Sequence, residues 1–260
     1  MSAQVSPVGK CARQIGVIAL NGYRISHRAP GYGAHYNVTH EIGYYAALWA
    51  KIERPLIAHT LRPMGGPGRK CLDFACGTGR ITNVLADLFG EVVGVDVSES
   101  MLSVAQVPRN VRLRLVDITT EPLPEKFHVI TAFRFFLNAE DHLRREALQS
   151  MREHLDENGM LVCNIHMNAT SPIGIACRIS NSFHRRTVRN TLSIGEFKEL
   201  VISAGFSVEN VIPYGYLPRP GNLLPRFCEA TIAPVEKVSK VIGISGRLAQ
   251  HFLLIARKAQ

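Results

Sequence analysis

From Lys70 onward, short apolar runs alternate with segments whose apolar residues recur every three or four positions. CLDFAC (71–76), EVVGVDV (91–97), VRLRLVDI (111–118), FHVITAF (127–133) and MLVCNIHM (160–167) are short and bounded by turn-forming residues, so the pattern predicts five strands. Between them, TGRITNVLADLF (78–89), SESMLSVAQ (98–106) and the segment from Asn138 to Leu155 have helical spacing. Asn138 followed by Asp141 predicts a capping box at the start of the third helix, and Ser193 with Glu196 predicts another, opening a helix to Ala204. Two strand-like runs, SVENVIPYGYL (207–217) and HFLLIARK (251–258), come last.

Strands alternating with helices imply a parallel sheet covered on both faces, because parallel neighbours need crossovers. No crossover helix is legible between the last two strands, which predicts an antiparallel terminal pair. Residues 1–40 read as irregular, while Glu41 to Leu61 has helical spacing that Pro55 must kink or split. The turn-rich PMGGPGRK (63–70) ends that region.

A chain of 260 residues, 46% hydrophobic and 20% charged, can bury a full core. Its apolar runs fall far short of the ~18 residues of a spanning helix. The N-terminus lacks the long apolar region of a secretory signal, so a cytoplasmic protein is expected. The six cysteines contain no CxxC pair, which leaves a zinc site without spacing support and suggests reduced, packed thiols. A formal charge of +9 is compatible with an anionic partner. No acid lies between Glu157 and Glu196, a window that holds Arg178, Arg185, Arg186 and Arg189; a solvated face is the simpler reading.

The chemistry concentrates in LDFACGTGR, which leaves the first strand. Gly77 and Gly79 lack Cβ atoms where the backbone must turn and let a ligand approach. Asp96 ends the second strand, where an acid can accept hydrogen bonds from ribose hydroxyls. A nicotinamide dehydrogenase would want G-x-G-x-x-G, but Thr82 occupies the third position and Asp73 would oppose a pyrophosphate. No GKS or GKT follows the glycines, so a P-loop is excluded. An acid before the loop suits a ligand with no phosphates and a positive charge.

With these residues the chain resembles the class I S-adenosylmethionine (SAM)-dependent methyltransferases of small-molecule type. The first motif stands as Asp73-Phe-Ala75-Cys76-Gly77-Thr-Gly79, with Ala75 where the family carries its first glycine. The resemblance implies an α/β, Rossmann-like, doubly wound and mostly parallel seven-stranded sheet, with an antiparallel C-terminal pair and an N-terminal helical lid. Residues 1–66 would be the lid, and 67–260 the SAM-binding domain with inserts at 168–192 and 218–249. Asp73 would orient the methionine ammonium, with Ala75, Cys76, Gly77 and Gly79 presenting backbone. Asp96 would bind the ribose, Val97 and Met101 the adenine face, and Asp117 and Ile118 the adenine edge; Phe133 completes the cofactor set.

The resemblance implies transfer of a methyl group to oxygen or nitrogen of a natural product, sugar, quinone or lipid-linked acceptor, an anionic one included. After the fourth strand the chain reads AFRFFLN, without the Pro-Pro-Tyr-like motif of amino-methylating relatives, so nucleic acid is not the favoured partner. An RNA or protein methyltransferase using the basic surface is the alternative. His166, at the end of the fifth strand, is either a general base or a hydrogen-bonded strand-end histidine; His142 reads as a helix-surface residue. Arg134 stands among Phe133, Phe135 and Phe136, as a contact to the acceptor or as the anchor of a neighbouring carboxylate. Phe135 or Phe136 would wall the acceptor pocket, and Tyr32, His35, Tyr36 and His40 fall where a lid would close. The mixed apolar and basic second insert has the character of an interfacial or lid helix, allowing peripheral membrane contact.

Overall fold

All the predicted strands join one sheet. In the computed structural model, which describes residues 23–24, 33, 43–183, 190–218 and 225–259, strands β1 (Gly66–Phe74), β2 (Phe89–Asp96), β3 (Val111–Leu115), β4 (Phe127–Ala132) and β5 (Leu155–Ile165) run parallel. Strand β7 (His251–Lys258) inserts antiparallel between β5 and β6 (Phe206–Tyr214), giving the seven-stranded order 3-2-1-4-5-7-6. The expected antiparallel terminal pair is present. A helix nevertheless lies between its strands, because residues 225–241 leave and re-enter the sheet at the same edge instead of crossing over it.

Side chains alternate across the central strands, so each face carries its own core. On one face Leu72, Val93, Ile130 and Leu161 pack against Leu143, Ala147, Leu148 and Met151 of α5 (Asp141–His154) and Phe197 and Val201 of α7 (Ile194–Ser203). On the other, Cys71, Val92, Val129 and Val162 meet Tyr44 and Leu48 of α1 (Gly43–Leu48), Ile57 and Leu61 of α2 (Arg54–Leu61), and Val84 and Leu85 of α3 (Arg80–Ala86). Cys228 and Ile232 of α8 (Pro225–Val241) add to this second core. The short α4 (Glu99–Leu102) follows β2, and α6 (Pro172–Phe183) occupies the first insert.

Pro55 splits the long N-terminal helix as its chemistry requires. The ring has no N–H to donate, and the chain widens into a π-turn over Trp49–Glu53 before α2 resumes with the proline in its first turn. The Ser193–Glu196 capping box forms in both directions. The one expected at Asn138 does not: α5 starts at Asp141, because the N–H groups of Asn138 and Ala139 donate to the Phe135 carbonyl and hold a turn there. The Asp141 carboxylate instead receives Arg144 Nη1 at 2.8 Å.

Candidate functional site

The loop leaving β1 bends through three left-handed residues, Ala75 (φ +55°), Gly77 (φ +57°) and Gly79 (φ +82°). For the glycines this is free; for Ala75 the Cβ makes it cost about 1–2 kcal/mol. The loop is fastened to the end of β2 by Asp96, whose carboxylate accepts the Gly77 N–H at 2.7 Å and the Ser98 N–H at 2.8 Å. Burial raises the Asp96 pKa, and these N–H groups only partly oppose it.

Asp73, at the end of β1, is 1% exposed and accepts hydrogen bonds from Thr82 Oγ1 at 2.6 Å and Thr131 Oγ1 at 2.8 Å. Burial pushes its pKa up to about 6; the two hydroxyls pull it down, and the charge of Asp96 adds to the rise. Asp117, past β3, goes the other way. Burial alone would raise it, but the N–H and hydroxyl of Thr119 and the guanidinium of Arg24, with Nε 2.7 Å from Oδ2, together hold it below the usual carboxylate range.

A small, partly open cleft lies beside these strand ends. Ala75, Asp96, Val97, Asp117, Ile118 and Phe135 line it, with Tyr23, Arg24, Phe74 and Leu143. Phe135 sits edge-on to Phe74 (4.9 Å between centroids) and to Tyr23 (5.1 Å), which fixes its ring as a wall. Asp73, Cys76, Gly77, Gly79 and Met101 belong to the supporting loop and its surroundings, outside the lining itself. Cys76 is buried against Gly94. Phe133 is not at the cleft: strand alternation turns it to the opposite face, into the core with Tyr44 and Leu48. Phe136, fully buried against Phe197, is core as well. Tyr32, His35, Tyr36 and His40 lie outside the described residues, as do Arg185, Arg186 and Arg189.

A second polar cluster lies at the same sheet edge, under the N-terminal helices. Arg134, itself left-handed at φ +60°, donates from Nη2 to Glu53 Oε2 at 2.8 Å, and its N–H donates to Asn164 Oδ1 at 2.8 Å. Glu53 Oε1 accepts the Tyr214 hydroxyl at 2.8 Å, and Asn164 Nδ2 donates to that hydroxyl oxygen at 3.1 Å. The His251 ring stacks on Tyr214 at 5.2 Å. Burial would raise the Glu53 pKa, but the charge of Arg134, the proximity of His251 and the Tyr214 hydroxyl outweigh it and leave the carboxyl below its usual range. His166 follows β5 half-buried, two residues beyond Asn164; His142 is exposed on α5.

Sequence reasoning missed Glu53, Asn164 and Tyr214, which become partners only when β4, β5, β6 and the N-terminal helix meet. It also missed Tyr23 and Arg24, whose segment has no periodicity. Thr119 was findable, since an Asp followed two residues later by Thr is a local turn former.

Residues 71–159 match the family model described as a methyltransferase domain. The chain is 29% identical over 139 residues to malonyl-[acyl-carrier protein] O-methyltransferase of Bacillus cereus, covering 49% of this chain and 48% of that one. It is 35% identical over 114 residues to demethylmenaquinone methyltransferase of Staphylococcus aureus, covering 41% and 46%. The chain thus spans about half the length of the curated relatives it matches. Among solved structures, an S-adenosylmethionine dependent methyltransferase from Mesorhizobium loti superposes with a TM-score of 0.54 at 19% identity, over 81% of this chain and 97% of that one. Residues 71–159, which hold the glycine loop and the strand-end acids Asp73, Asp96 and Asp117, are thus similar to a methyltransferase domain, set in a seven-stranded sheet.

Proposed function

We propose that the protein transfers the methyl group of SAM to oxygen or nitrogen of a small-molecule acceptor, a quinone, sugar, natural product or lipid-linked compound. One observation carries this reading: two strand-end acids, Asp96 and Asp117, line one largely apolar cleft, with the left-handed loop 75–79 at its side and Asp73 buried behind that loop. The donor set fits the cofactor. A buried carboxylate with a raised pKa is what a cationic ammonium group stabilises, and the apolar Val97, Ile118 and Phe135 suit an adenine ring.

In this reading Asp73 holds the ammonium end, Asp96 the ribose hydroxyls, and Asp117 with Ile118 the adenine edge. The sulfonium of SAM is already an activated electrophile. The protein's own work is to align the acceptor, exclude water and, where the acceptor carries a proton, accept it. His166, beside the end of β5, is the residue proposed for that last task. The similarity to a demethylmenaquinone methyltransferase supports a small-molecule acceptor.

Calorimetry with SAM tests the cofactor reading, and Asp96→Ala should weaken binding at least tenfold, about 1.4 kcal/mol; unchanged affinity would overturn it. Incubating an extract with methyl-labelled SAM and reading the products by mass spectrometry identifies the acceptor by size class. Labelled RNA, with binding that falls steeply with salt, would favour the basic surface as a nucleic-acid site.

A further inference from the structure

We infer that Arg24 is a positioning residue of the cleft, a latch whose pairing with Asp117 opens each time SAM enters or leaves. That SAM is the ligand rests on the proposed function; the latch is built from contacts of Arg24 itself. Its guanidinium reaches three acceptors on two elements. Nε donates to Asp117 Oδ2 at 2.7 Å, and Nη2 donates to Thr119 Oγ1 at 2.6 Å and to Glu146 Oε2 at 3.1 Å. Asp117 and Thr119 follow β3, whereas Glu146 lies on α5, so one side chain joins that loop to that helix. The planar fork of donors suits this task, and the point charge of a Lys would not. Tyr23 seats beside it, its N–H donating to Glu140 Oε1 at 2.8 Å and its ring meeting Phe135. Tyr23 and Arg24 both line the cleft, with Asp117 and with Leu143 of α5.

A second attachment follows at Gly33. Its N–H donates to Ser100 Oγ at 3.2 Å, and its backbone lies so close to α4 that a Cβ would stand 2.2 Å from the Ser100 carbonyl oxygen. Helix α4 comes directly after the β2 end that carries Asp96. The N-terminal chain is thus fastened next to each of the two strand ends whose acids line the cleft, to Asp117 directly and beside Asp96 by way of α4.

The hydrogen bonds of Asp117 decide between a latch and a plug. An ionised carboxylate offers about four acceptor positions. Among the described residues, Oδ1 takes the N–H and the hydroxyl of Thr119 and Oδ2 takes Arg24, which leaves one position on Oδ2. A single N–H of an adenine amino group fills it without displacing Arg24, so the pair can close again over a bound ligand. The pair is also weak enough to open. The side chains of Arg24 and Glu146 are 30% and 48% exposed, and pairs of such exposure favour the closed arrangement by no more than about fivefold each.

Exchange kinetics of the full chain test the latch. Labelled SAM bound to the protein and chased with excess unlabelled SAM gives the dissociation rate constant, calorimetry gives Kd, and the two together give the association rate constant. Arg24→Ala should raise both rate constants about fivefold and leave Kd within about twofold of wild type. Glu146→Gln, outside the cleft lining, should raise both about twofold, and Gly33→Ala should move both in the same direction. Faster association alone would make Arg24 a plug that SAM displaces, and faster dissociation alone would make it an ordinary ligand contact; either overturns the latch. So does a lowered Tm with SAM exchange unchanged, the mark of a purely structural anchor. In those three outcomes SAM still binds and the proposed function stands, whereas wild type and Arg24→Ala both failing to bind SAM overturns it together with the latch.

Discussion

Arg134 Nη2 lies 2.8 Å from Glu53 Oε2, joining the second residue after β4 to the last residue of the π-turn. Glu53 is 1% exposed, so the pair is buried on the acid's side. A charge that looks misplaced in the sequence thus has a partner that arrives from 81 residues away. Breaking a buried pair strands the remaining charge, so Glu53→Ala should cost about 3–5 kcal/mol in denaturant unfolding. Arg134→Gly relieves a left-handed backbone worth about 1–2 kcal/mol but loses the pair, and should still fall below wild type.

The pH dependence of that pair has a definite sign. Because the Glu53 carboxyl is held below its usual range, its stabilising contribution is present above the unfolded value of about 4.3 and is lost as pH falls through the folded one. The stability gap between wild type and Glu53→Gln should therefore narrow below about pH 4 in thermal melts across pH.

Asp73 has the opposite sign. With a folded pKa of about 6, it contributes stability below the ordinary carboxylate range, and this is lost as pH rises through about 6. A cationic ligand needs the deprotonated form. SAM affinity should rise as pH rises through about 6, and binding near that pH should release a proton. Calorimetry in buffers of different ionisation enthalpy reads both, and Asp73→Asn should abolish both.

Ala75→Gly should stabilise the protein by about 1 kcal/mol, raising Tm by roughly 2–4 °C, because it removes a Cβ from a left-handed residue. A fall in Tm would show that the Ala75 methyl packs productively along the cleft.

His166→Ala should lower kcat by about 10²–10⁴ while leaving the Kd for SAM unchanged, as loss of a general base requires. A proportional loss of SAM binding would assign His166 to structure instead.

Much of this architecture is legible in the sequence, and the reason is local. The strands announce themselves as short apolar runs, and Asp73, Asp96 and Asp117 stand at their ends because turn residues follow directly. The Ser193–Glu196 box is written in four consecutive residues and forms as read. Asn138 and Asp141 carry the same kind of signal, but three-dimensional competition from the Phe135 carbonyl moves the helix start. The pocket wall divides by facing: Phe133 and Phe135 are two apart, yet the left-handed Arg134 between them turns one into the core and the other to the cleft. No window of sequence displays Glu53, Asn164 and Tyr214 as neighbours, since each comes from a different element. Arg24 is similarly hidden, 93 residues from Asp117.

The position of β7 bears on how the chain can be made. Among the described residues strand β6 pairs only with β7, and β7 also completes the edge of β5. During synthesis β6 therefore emerges with no partner, and the apolar rim of β5 stays open until His251–Lys258 has cleared the ribosome. Everything before that strand must wait in a half-closed state, so a chain stalled or cut before residue 251 should be a substrate for chaperones and proteases and not a shorter enzyme.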